Sequence, residues 1–324
     1  GFLAGQRGAI GELISTAGKI TQYSQDGVDL LLTIDRSLQN KVCQELKNGG
    51  KNYQAKSGAA VMLDAKTGAV RAMCSYPDFD PNKYYETTEA TAFNNTAIFT
   101  PYEPGSVFKP ITMAIGLDLE LVSPNTLFND PGVRVIDNYR IYNALQKQYG
   151  TVTMTQVLEN SINTGMIWVE EKIGLKRFNE YVKKFGFGEK TGLQLDGETT
   201  GDISSLEKTA AIYGANGSFG QGFTITPLQL ATAYTALANG GKLMKPYIVQ
   251  EIRYPSGQRE KIEPQITANV ISARAQKLLT GMLTAVVEKG YSYIGVKMDH
   301  YYVAGKTGTA QIAGGGGYTD QTNH

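Results

Sequence analysis

Histidine is almost missing from this chain of 324 residues, which contains only His300 and His324. Both lie near its C-terminal end, so we do not expect a serine nucleophile here to depend on a histidine base, as it does in a Ser-His-Asp arrangement. Cysteine is equally rare, because Cys43 and Cys74 are the only two and they form no C-x-x-C pair. A metal site needs several such ligands close together, and the sequence therefore predicts no bound metal.

The two cysteines fall on different predicted elements, Cys43 on a helix and Cys74 on a strand. An unpaired cysteine behaves as a small apolar side chain and is often buried. We therefore expect two buried thiols in preference to a disulfide.

A strong charge excess and a long apolar run are also missing. Lys and Arg number 31 against 30 Asp and Glu, and a net charge of +1 gives no reason to expect a nucleic-acid partner. No apolar stretch approaches the roughly 18 residues of a membrane-spanning helix, and no signal peptide is visible. The chain starts without an initiator methionine, so these absences do not indicate its compartment. Its 41% hydrophobic residues predict a large core, in one large domain or two.

The periodicity of apolar residues predicts a mixture of strands and helices. The predicted strands cover 28–34, 59–63, 69–74, 243–253 and 301–311, with 59–74 a hairpin and 28–34 buried. The predicted helices cover 36–48, 106–121, 153–160, 164–173, 176–185, 226–239 and 272–289, the first ended by Gly49-Gly50. Asp35 is a predicted N-cap, and Thr153 with Gln156 and Thr226 with Gln229 predict capping boxes. Residues 123–150 read as an irregular or short-stranded insertion, and 186–201 as a glycine-rich loop.

One short segment, Glu-Pro-Gly-Ser-Val-Phe-Lys-Pro at 103–110, carries the first candidate for catalysis. Pro104 and Gly105 break what precedes them, and the apolar pattern after Ser106 is typical of a buried helix. Lys109 lies one turn after Ser106 on the same face. A lysine kept away from water and near a second cation can lose its proton near neutral pH and activate such a serine. Taken alone, a helical serine–lysine pair is more often a solvated surface.

Two further motifs favour the catalytic interpretation of this serine–lysine pair over a solvated surface. Ser161-Ile162-Asn163 falls between two predicted helices, where a turn can project both polar side chains together. Lys306-Thr307-Gly308, followed by Thr309, falls on a predicted strand. Gly308 would weaken that strand unless something such as a substrate must approach its backbone closely, while Lys306 and the two threonine hydroxyls suit an anionic group. Each motif alone is weak, and Lys66-Thr67-Gly68 in the predicted hairpin shows the same tripeptide in an ordinary turn.

S-x-x-K, then S-x-N, then K-T-G, in this order, resembles the motif set of the penicillin-recognising serine enzymes. The middle motif has isoleucine where the S-D-N form has aspartate. Further segments resemble the transpeptidase domain of class B penicillin-binding proteins over about 28–311. They are Asp35-Arg36-Ser37-Leu38-Gln39, Tyr76-Pro77-Asp78-Phe79-Asp80-Pro81-Asn82, Tyr102-Glu103-Pro104-Gly105-Ser106, Phe185-Gly186-Phe187-Gly188, Gly220-Gln221-Gly222 and Thr226-Pro227-Leu228-Gln229.

The resemblance implies an α+β transpeptidase fold like that of penicillin-binding proteins and β-lactamases. In that fold an antiparallel sheet is flanked by helices and joined to an all-helical subdomain. Residues 1–25 would end a non-catalytic pedestal region, and 26–324 would form the transpeptidase domain. In the family, two strands and a helix follow the K-T-G strand. Only 14 residues follow Ala310, so we expect those C-terminal strands to be missing and an edge to be left open.

The resemblance also implies a serine acyl-enzyme that crosslinks peptidoglycan stem peptides ending in D-Ala-D-Ala and releases D-Ala. Ser106 would be the nucleophile, Lys109 its base and Ser161 a proton relay. Substrate would be held by Asn163, which also steadies Lys109, and by Lys306, Thr307, Gly308 and Thr309. The backbone N–H groups of Ser106 and Thr309 would form the oxyanion hole. No cofactor is implied.

The implied partners are stem peptides, β-lactams, a membrane glycosyltransferase and division or elongation proteins, without nucleic acid. The implied location is the outer face of the bacterial membrane, held by an N-terminal anchor upstream of this chain. The sequence does not separate division, elongation and sporulation roles.

Three alternatives stay open at this point. A serine β-lactamase shares the motifs but needs a loop carboxylate to activate water, for which Glu170 and Glu198 are the candidates. A β-lactam-sensing receptor domain would also acylate at Ser106. An inactive scaffold of the division complex is the third alternative, and the intact motifs argue against it.

Overall fold

The strands of the protein form small antiparallel sheets distributed along the chain. The computed structural model describes residues 27–290, 295–314 and 317–323. The strands are β1 (Asp29–Leu32), β2 (Gly58–Leu63), β3 (Val70–Tyr76), β4 (Leu127–Asp130), β5 (Val133–Ile136), β6 (Tyr139–Tyr142), β7 (Gly150–Thr153), β8 (Lys242–Met244), β9 (Val249–Arg253), β10 (Arg259–Lys261), β11 (Ile266–Asn269), β12 (Ala310–Gly314) and β13 (Gly317–Asn323). Within the described residues, β1, β9 and β10 make a three-stranded sheet, and the pairs are β2–β3, β4–β7, β5–β6, β8–β11 and β12–β13.

The helices supply most of the core. They are α1 (Arg36–Asn52), α2 (Thr96–Phe99), α3 (Lys109–Asp118), α4 (Met154–Glu159), α5 (Asn163–Ile173), α6 (Leu175–Lys184), α7 (Ala211–Ser218), α8 (Pro227–Ala238) and α9 (Ala273–Ala285). Helix α3 is buried from Lys109 to Leu117, as expected for a helix that is apolar all round, and packs against α5 and α9. Phe108 precedes it, fully buried among the rings of Phe178, Phe187 and Phe223. A smaller cluster, which includes Val70, Ile98 and Leu228, lies between β3, α2 and α8.

The predicted helix starts are confirmed where a polar side chain caps the first turn. Asp35 accepts hydrogen bonds from the backbone N–H groups of Ser37 and Leu38 at 2.9 and 3.0 Å. The two predicted capping boxes, at Thr153 and Thr226, are both formed. These starts are predictable because a cap depends on residues within one turn of each other.

The prediction of two buried thiols is wrong, because Cys43 and Cys74 form a disulfide with a Cα–Cα distance of 5.4 Å. Helix α1 packs on β3, and the Gln39 side chain exchanges two hydrogen bonds with the Met73 backbone, at 2.8 and 2.9 Å. Cys43 lies one turn after Gln39 on the same helix face, which brings it to Cys74. The elements of both cysteines were predicted correctly. Their docking, which local sequence does not encode, decides the bond.

Two predictions near the N-terminal end are also corrected. Strand β1 is not buried, since its leucines Leu30, Leu31 and Leu32 are between 39% and 53% exposed in the sheet with β9 and β10. Helix α1 does not end at Gly49-Gly50 but continues to Asn52. Gly50 lies against the ring of Tyr76, where an added Cβ would come within 2.7 Å of ring carbons. That glycine permits close packing and does not end the helix.

Two predicted strands differ from the structure. The segment 243–253 is divided into β8 and β9, because β8 pairs with β11 while β9 pairs with β1 and β10. In the segment 301–311 the strand begins only at Ala310, so Lys306-Thr307-Gly308 lies in backbone without regular secondary structure. The expectation that both strands after the K-T-G strand are missing is wrong for one of them, because β12 pairs with a further strand, β13. Of the two alternatives for 123–150, irregular or short-stranded, the structure has short strands, β4 to β6 and the start of β7.

No helix in the part of the chain that the structure describes is both long and apolar enough to span a bilayer.

Candidate active site

Ser106 lies in a single 3₁₀ turn, Gly105–Phe108, that leads directly into α3. Gly105 begins the turn with φ of +58° and donates its N–H to the carbonyl of Gly220 at 2.8 Å. A Cβ at Gly105 would lie 2.9 Å from the carbonyl oxygen of Thr309. Glycine is therefore required here twice, for the left-handed backbone and for the close approach of a neighbouring chain segment.

The segment 220–225 holds this turn from one side. Tyr102 and Ile225 exchange backbone hydrogen bonds at 2.9 and 3.0 Å, and the Glu103 carboxylate accepts the N–H of Gly222 at 3.1 Å. From α8, the buried hydroxyl of Tyr234 donates to the carbonyl of Val107 at 2.6 Å. Burial raises the pKa of Tyr234, which keeps this phenol protonated and able to donate. The sequence analysis missed Tyr234, because no local signal relates α8 to a turn more than a hundred residues earlier.

Lys109 is fully buried at the start of α3. Its Nζ donates to the carbonyl of Ser161 at 2.5 Å and to Oδ1 of Asn163 at 2.7 Å, and it lies at hydrogen-bond distance, 3.0 Å, from the Ser161 hydroxyl. Burial, and to a smaller extent the positive charge of Lys306, hold the pKa of Lys109 well below its usual value. The buried amine is therefore suited to accept a proton.

Ser161 and Asn163 reach this amine from the turn between α4 and α5. Ser161 adopts a φ of +54°, which is uncommon for a residue with a side chain, and Asn163 is the first residue of α5. The Nδ2 of Asn163 donates to the carbonyl of Tyr142 at 2.9 Å, which leaves its Oδ1 for Lys109. The predicted arrangement, two polar side chains projecting from a turn between helices, is what the structure has.

The Lys306–Thr309 segment lies against the other side of the serine turn. A Cβ at Gly308 would be 2.8 Å from Cγ1 of Val107, 3.1 Å from the carbonyl oxygen of Pro104 and 3.2 Å from the N of Val107. The structure thus shows a close neighbour of Gly308 that already requires a glycine, namely the serine turn. Lys306 is half-buried and donates to the carbonyl of Thr307 at 3.0 Å.

The fold therefore brings all three motifs to Lys109. Ser161 and Asn163 bond its amine directly, and the charge of Lys306 acts on it through space. Among the hydrogen bonds of the described residues, none joins the Ser106 hydroxyl to Lys109. Such bonds are often long before a substrate is bound.

The two carboxylates considered as a β-lactamase base have other roles. Glu170 is buried against α7, where a Cβ at Gly214 would lie 2.4 Å from its Oε1. Burial, and then the charge of Glu171, raise the pKa of Glu170 to about 7. Glu198 accepts the N–H groups of Thr191 and Gly192 within its own loop at 2.6 and 3.2 Å. No hydrogen bond of the described residues joins either carboxylate to the three motifs.

A family model described as the penicillin binding protein transpeptidase domain matches residues 58–324. The chain belongs to this family. The transpeptidase-domain family is the one that the three motifs predicted, and that prediction is confirmed. The predicted α+β fold is confirmed as well.

Curated relatives agree with this assignment. The chain is 34% identical over 332 residues to stage V sporulation protein D of Bacillus subtilis, covering 99% of this chain and 51% of that protein. It is 33% identical over 328 residues to a peptidoglycan D,D-transpeptidase FtsI homolog of Mesostigma viride, covering 92% of this chain and 54% of that protein. The chain thus spans about half the length of these relatives.

A solved structure supports the same fold. Penicillin binding protein 3 of Mycobacterium tuberculosis, complexed with aztreonam, superposes with a TM-score of 0.86 at 31% sequence identity. The match covers 94% of this chain and 69% of the mycobacterial chain.

Proposed function

We propose that the chain is the catalytic part of a peptidoglycan D,D-transpeptidase. One observation carries the proposal, namely a fully buried lysine, one turn after Ser106, whose amine is bonded to Ser161 and Asn163. A desolvated amine beside a hydroxyl is the arrangement that activates a serine nucleophile without a histidine.

The reaction begins when Ser106 Oγ attacks the carbonyl between the two D-alanines of a stem peptide. Lys109 takes the hydroxyl proton as the new C–O bond forms. The C–N bond then breaks, and a proton passes through Ser161 to the departing D-alanine amine. An amine of a second stem attacks the resulting ester, which forms the crosslink and returns Ser106 to its free hydroxyl.

The backbone N–H groups of Ser106 and Thr309 donate hydrogen bonds to the carbonyl oxygen and stabilise the negative charge that develops on it. The close approach of the Thr309 backbone to Gly105 supports this pairing. In other enzymes the loss of one such donor raises the barrier by roughly 3–4 kcal/mol. The substrate carboxylate is held by Lys306, Thr307 and Thr309, beside Gly308, and its amide by Asn163.

The setting of the domain follows from the same proposal. Residues 1–25 end a pedestal region, residues 26–324 form the transpeptidase domain, and an upstream anchor holds the protein on the outer face of the bacterial membrane. Its partners are stem peptides, β-lactams, a membrane glycosyltransferase and division or elongation proteins. The mycobacterial structure with bound aztreonam supports β-lactams as ligands of this family.

The test is covalent labelling with a fluorescent penicillin. We expect stable labelling of the wild-type chain and none of Ser106→Ala, since that variant lacks the acylated oxygen. The control is Ser256→Ala in an exposed turn, which should label like the wild type. Labelling of Ser106→Ala, or none of the wild type, would contradict the proposal. Steady hydrolysis of a chromogenic cephalosporin would instead favour a β-lactamase. Glu198 does not support that alternative as a base for water, because its carboxylate accepts two N–H groups of its own loop.

A further inference from the structure

Helix α5, which carries Asn163, begins without a cap of its own. The residue at its N-cap position is Ile162, an apolar residue that makes no side-chain hydrogen bond there. The backbone N–H of Thr164, in the first turn, donates to Oδ1 of Asn143 at 3.1 Å. The cap therefore comes from a residue 21 positions earlier, in the insertion between the serine helix and α4.

The orientation of the Asn143 amide is fixed by its surroundings. Its Nδ2 faces the carboxylate of Asp130, at 3.0 Å from Oδ1 and 2.9 Å from Oδ2, and donates to the carbonyl of Lys147 at 3.0 Å. These neighbours only accept hydrogen bonds, so the amide cannot be turned around without placing two acceptors against each other. The Oδ1 of Asn143 is thus committed to Thr164.

Asp130 is fully buried and acts as the centre of this cluster. It accepts the Thr164 hydroxyl at 2.5 Å and the N–H groups of Gly132 and Tyr149 at 2.9 and 2.8 Å, besides the Asn143 amide. Burial acts to raise the pKa of Asp130, but these donors outweigh it and the pKa is lowered. The carboxylate is therefore charged, and its negative charge lies favourably at the N-terminus of α5.

The cluster leads directly to the catalytic lysine. Tyr142, the neighbour of Asn143 in the chain, accepts Nδ2 of Asn163 at 2.9 Å through its carbonyl. Asn163 is therefore held at both ends of its amide, by Tyr142 and by Lys109. Because the side chain of Asn143 is tied to Asp130 and to the helix start, it fixes where the Tyr142 carbonyl lies relative to Asn163.

We propose that Asp130 and Asn143 are positioning residues for acylation, which set the start of α5 and thereby the Asn163 amide that aligns Lys109. The inference rests on the proposed function and goes beyond it, since neither residue belongs to the three motifs. Both residues lie in the insertion at 123–150, for which the sequence indicated no role. The proposal therefore assigns that insertion a role in acylation.

The test separates positioning from folding. The final amount of penicillin label counts the folded, competent sites, while the rate constant at saturating penicillin reports how well each of those sites is aligned. For Asn143→Ala we expect that rate constant to fall by about 10- to 100-fold, because small misplacements of catalytic groups have effects of this size. In parallel, hydrogen exchange at the Thr164 amide should accelerate, and this measurement does not depend on acylation.

A milder pair protects the test if Asn143→Ala does not fold. Thr164→Val removes the hydroxyl that donates to Asp130 but keeps the shape, whereas Thr164→Ser keeps the hydroxyl. We expect Thr164→Val to lower the rate constant by about 3- to 10-fold. This is only part of the roughly 10- to 150-fold that a lost hydrogen bond to a charged group represents, because Asn143 and two backbone N–H groups still hold Asp130. Thr164→Ser should retain the wild-type rate.

Each result decides the matter. A lower final amount of label with an unchanged rate constant in Asn143→Ala and Thr164→Val would overturn the positioning role and leave the proposed function intact. Equal loss in Thr164→Val and Thr164→Ser would also overturn it. A wild-type chain that takes no label would overturn the proposed function and this inference with it, even if exchange at Thr164 showed the cap to be present.

Discussion

The tripeptide Lys-Thr-Gly occurs twice in this protein, and the two copies have different surroundings. Lys66-Thr67-Gly68 forms the turn of the β2–β3 hairpin, where Asp64 accepts the N–H groups of Lys66 and Thr67 at 2.9 and 3.1 Å. Gly68 has a φ of +81°, as such a turn requires. The hydrogen bonds that shape this turn lie within the hairpin, although the Lys245 carbonyl also packs against Gly68.

Lys306-Thr307-Gly308 lies in backbone without regular secondary structure, where the Lys306 side chain donates to the carbonyl of Thr307 at 3.0 Å. Gly308 lacks the positive φ of Gly68 and is a glycine because the Val107 backbone lies beside it. Lys306 acts on Lys109, nearly two hundred residues away in the chain, through its charge. The same tripeptide can therefore contribute to a site only where the fold packs it against the other groups of that site.

The largest expected effect comes from adding one methyl group to each copy. Gly308→Ala would place a Cβ 2.8 Å from Val107 and displace the serine turn or its neighbour. We expect the penicillin acylation rate constant to fall by about 1,000-fold, since misplacement acts on both the nucleophile and its oxyanion donors.

Gly68→Ala is the matched control. It strains a positive φ and would place a Cβ 2.3 Å from the Lys245 carbonyl, so the free energy of unfolding should fall by roughly 2 kcal/mol or more. The acylation rate constant per labelled molecule should stay at the wild-type value. Similar rate losses in the two variants, measured by labelling time courses, would remove the distinction between the copies.

The disulfide is next, because it strengthens only the hairpin side of the molecule. Replacing both Cys43 and Cys74 by alanine opens a loop of 31 residues between α1 and β3. We expect the free energy of unfolding to fall by about 2–4 kcal/mol, measured by denaturant titration. Acylation at temperatures well below unfolding should not change. A lower acylation rate constant at those temperatures would mean that the packing of α1 on β3 also affects the candidate active site.

Replacing the lysine of each Lys-Thr-Gly copy tests whether its charge affects acylation. In the proposed reaction, neutral Lys109 accepts the proton of Ser106, and the pKa of Lys109 is lowered by burial and by Lys306. Lys306→Ala removes a positive charge, so the pKa of Lys109 rises and a smaller fraction is neutral at any given pH below it. The acid limb of the acylation profile should therefore move to higher pH, and the rate at neutral pH should fall by about 10- to 100-fold as the substrate carboxylate also loses its cation.

The control for that profile is Lys66→Ala, which should reproduce the wild-type curve when rates are measured between about pH 5 and 9. An unchanged profile in Lys306→Ala would exclude the electrostatic role of Lys306.

The threonines give the smallest effects. Thr67→Ala removes the acceptor of the Ala69 N–H, 3.2 Å away, and should lower the free energy of unfolding by about 1 kcal/mol without affecting acylation. Thr307→Ala should do the reverse, with acylation slowed about fivefold and stability nearly unchanged. Slower acylation in Thr67→Ala, or a clear loss of stability in Thr307→Ala, would contradict this assignment.

Much of the secondary structure followed from local sequence. The caps at Asp35, Thr153 and Thr226 were predictable because each involves neighbours within one turn. The order of the motifs at Ser106, Ser161 and Lys306 in the chain indicated the family. The sequence did not predict the disulfide between α1 and β3 or the division of 243–253 into two strands. Those features depend on which elements dock or pair, and a residue's neighbours in the chain do not determine that.

The sequence by itself determined which residue types are available for the proposed chemistry, namely a serine and a lysine one turn apart in a chain with only two histidines, both near its C-terminal end. Only the tertiary structure decided that Lys109 is buried, that Ser161 and Asn163 bond its amine, and that Asp130 and Asn143 hold the helix from which Asn163 projects. The reason is physical. The pKa of a lysine depends on burial and on charges brought close in space, and in this protein those groups come from segments more than fifty residues away.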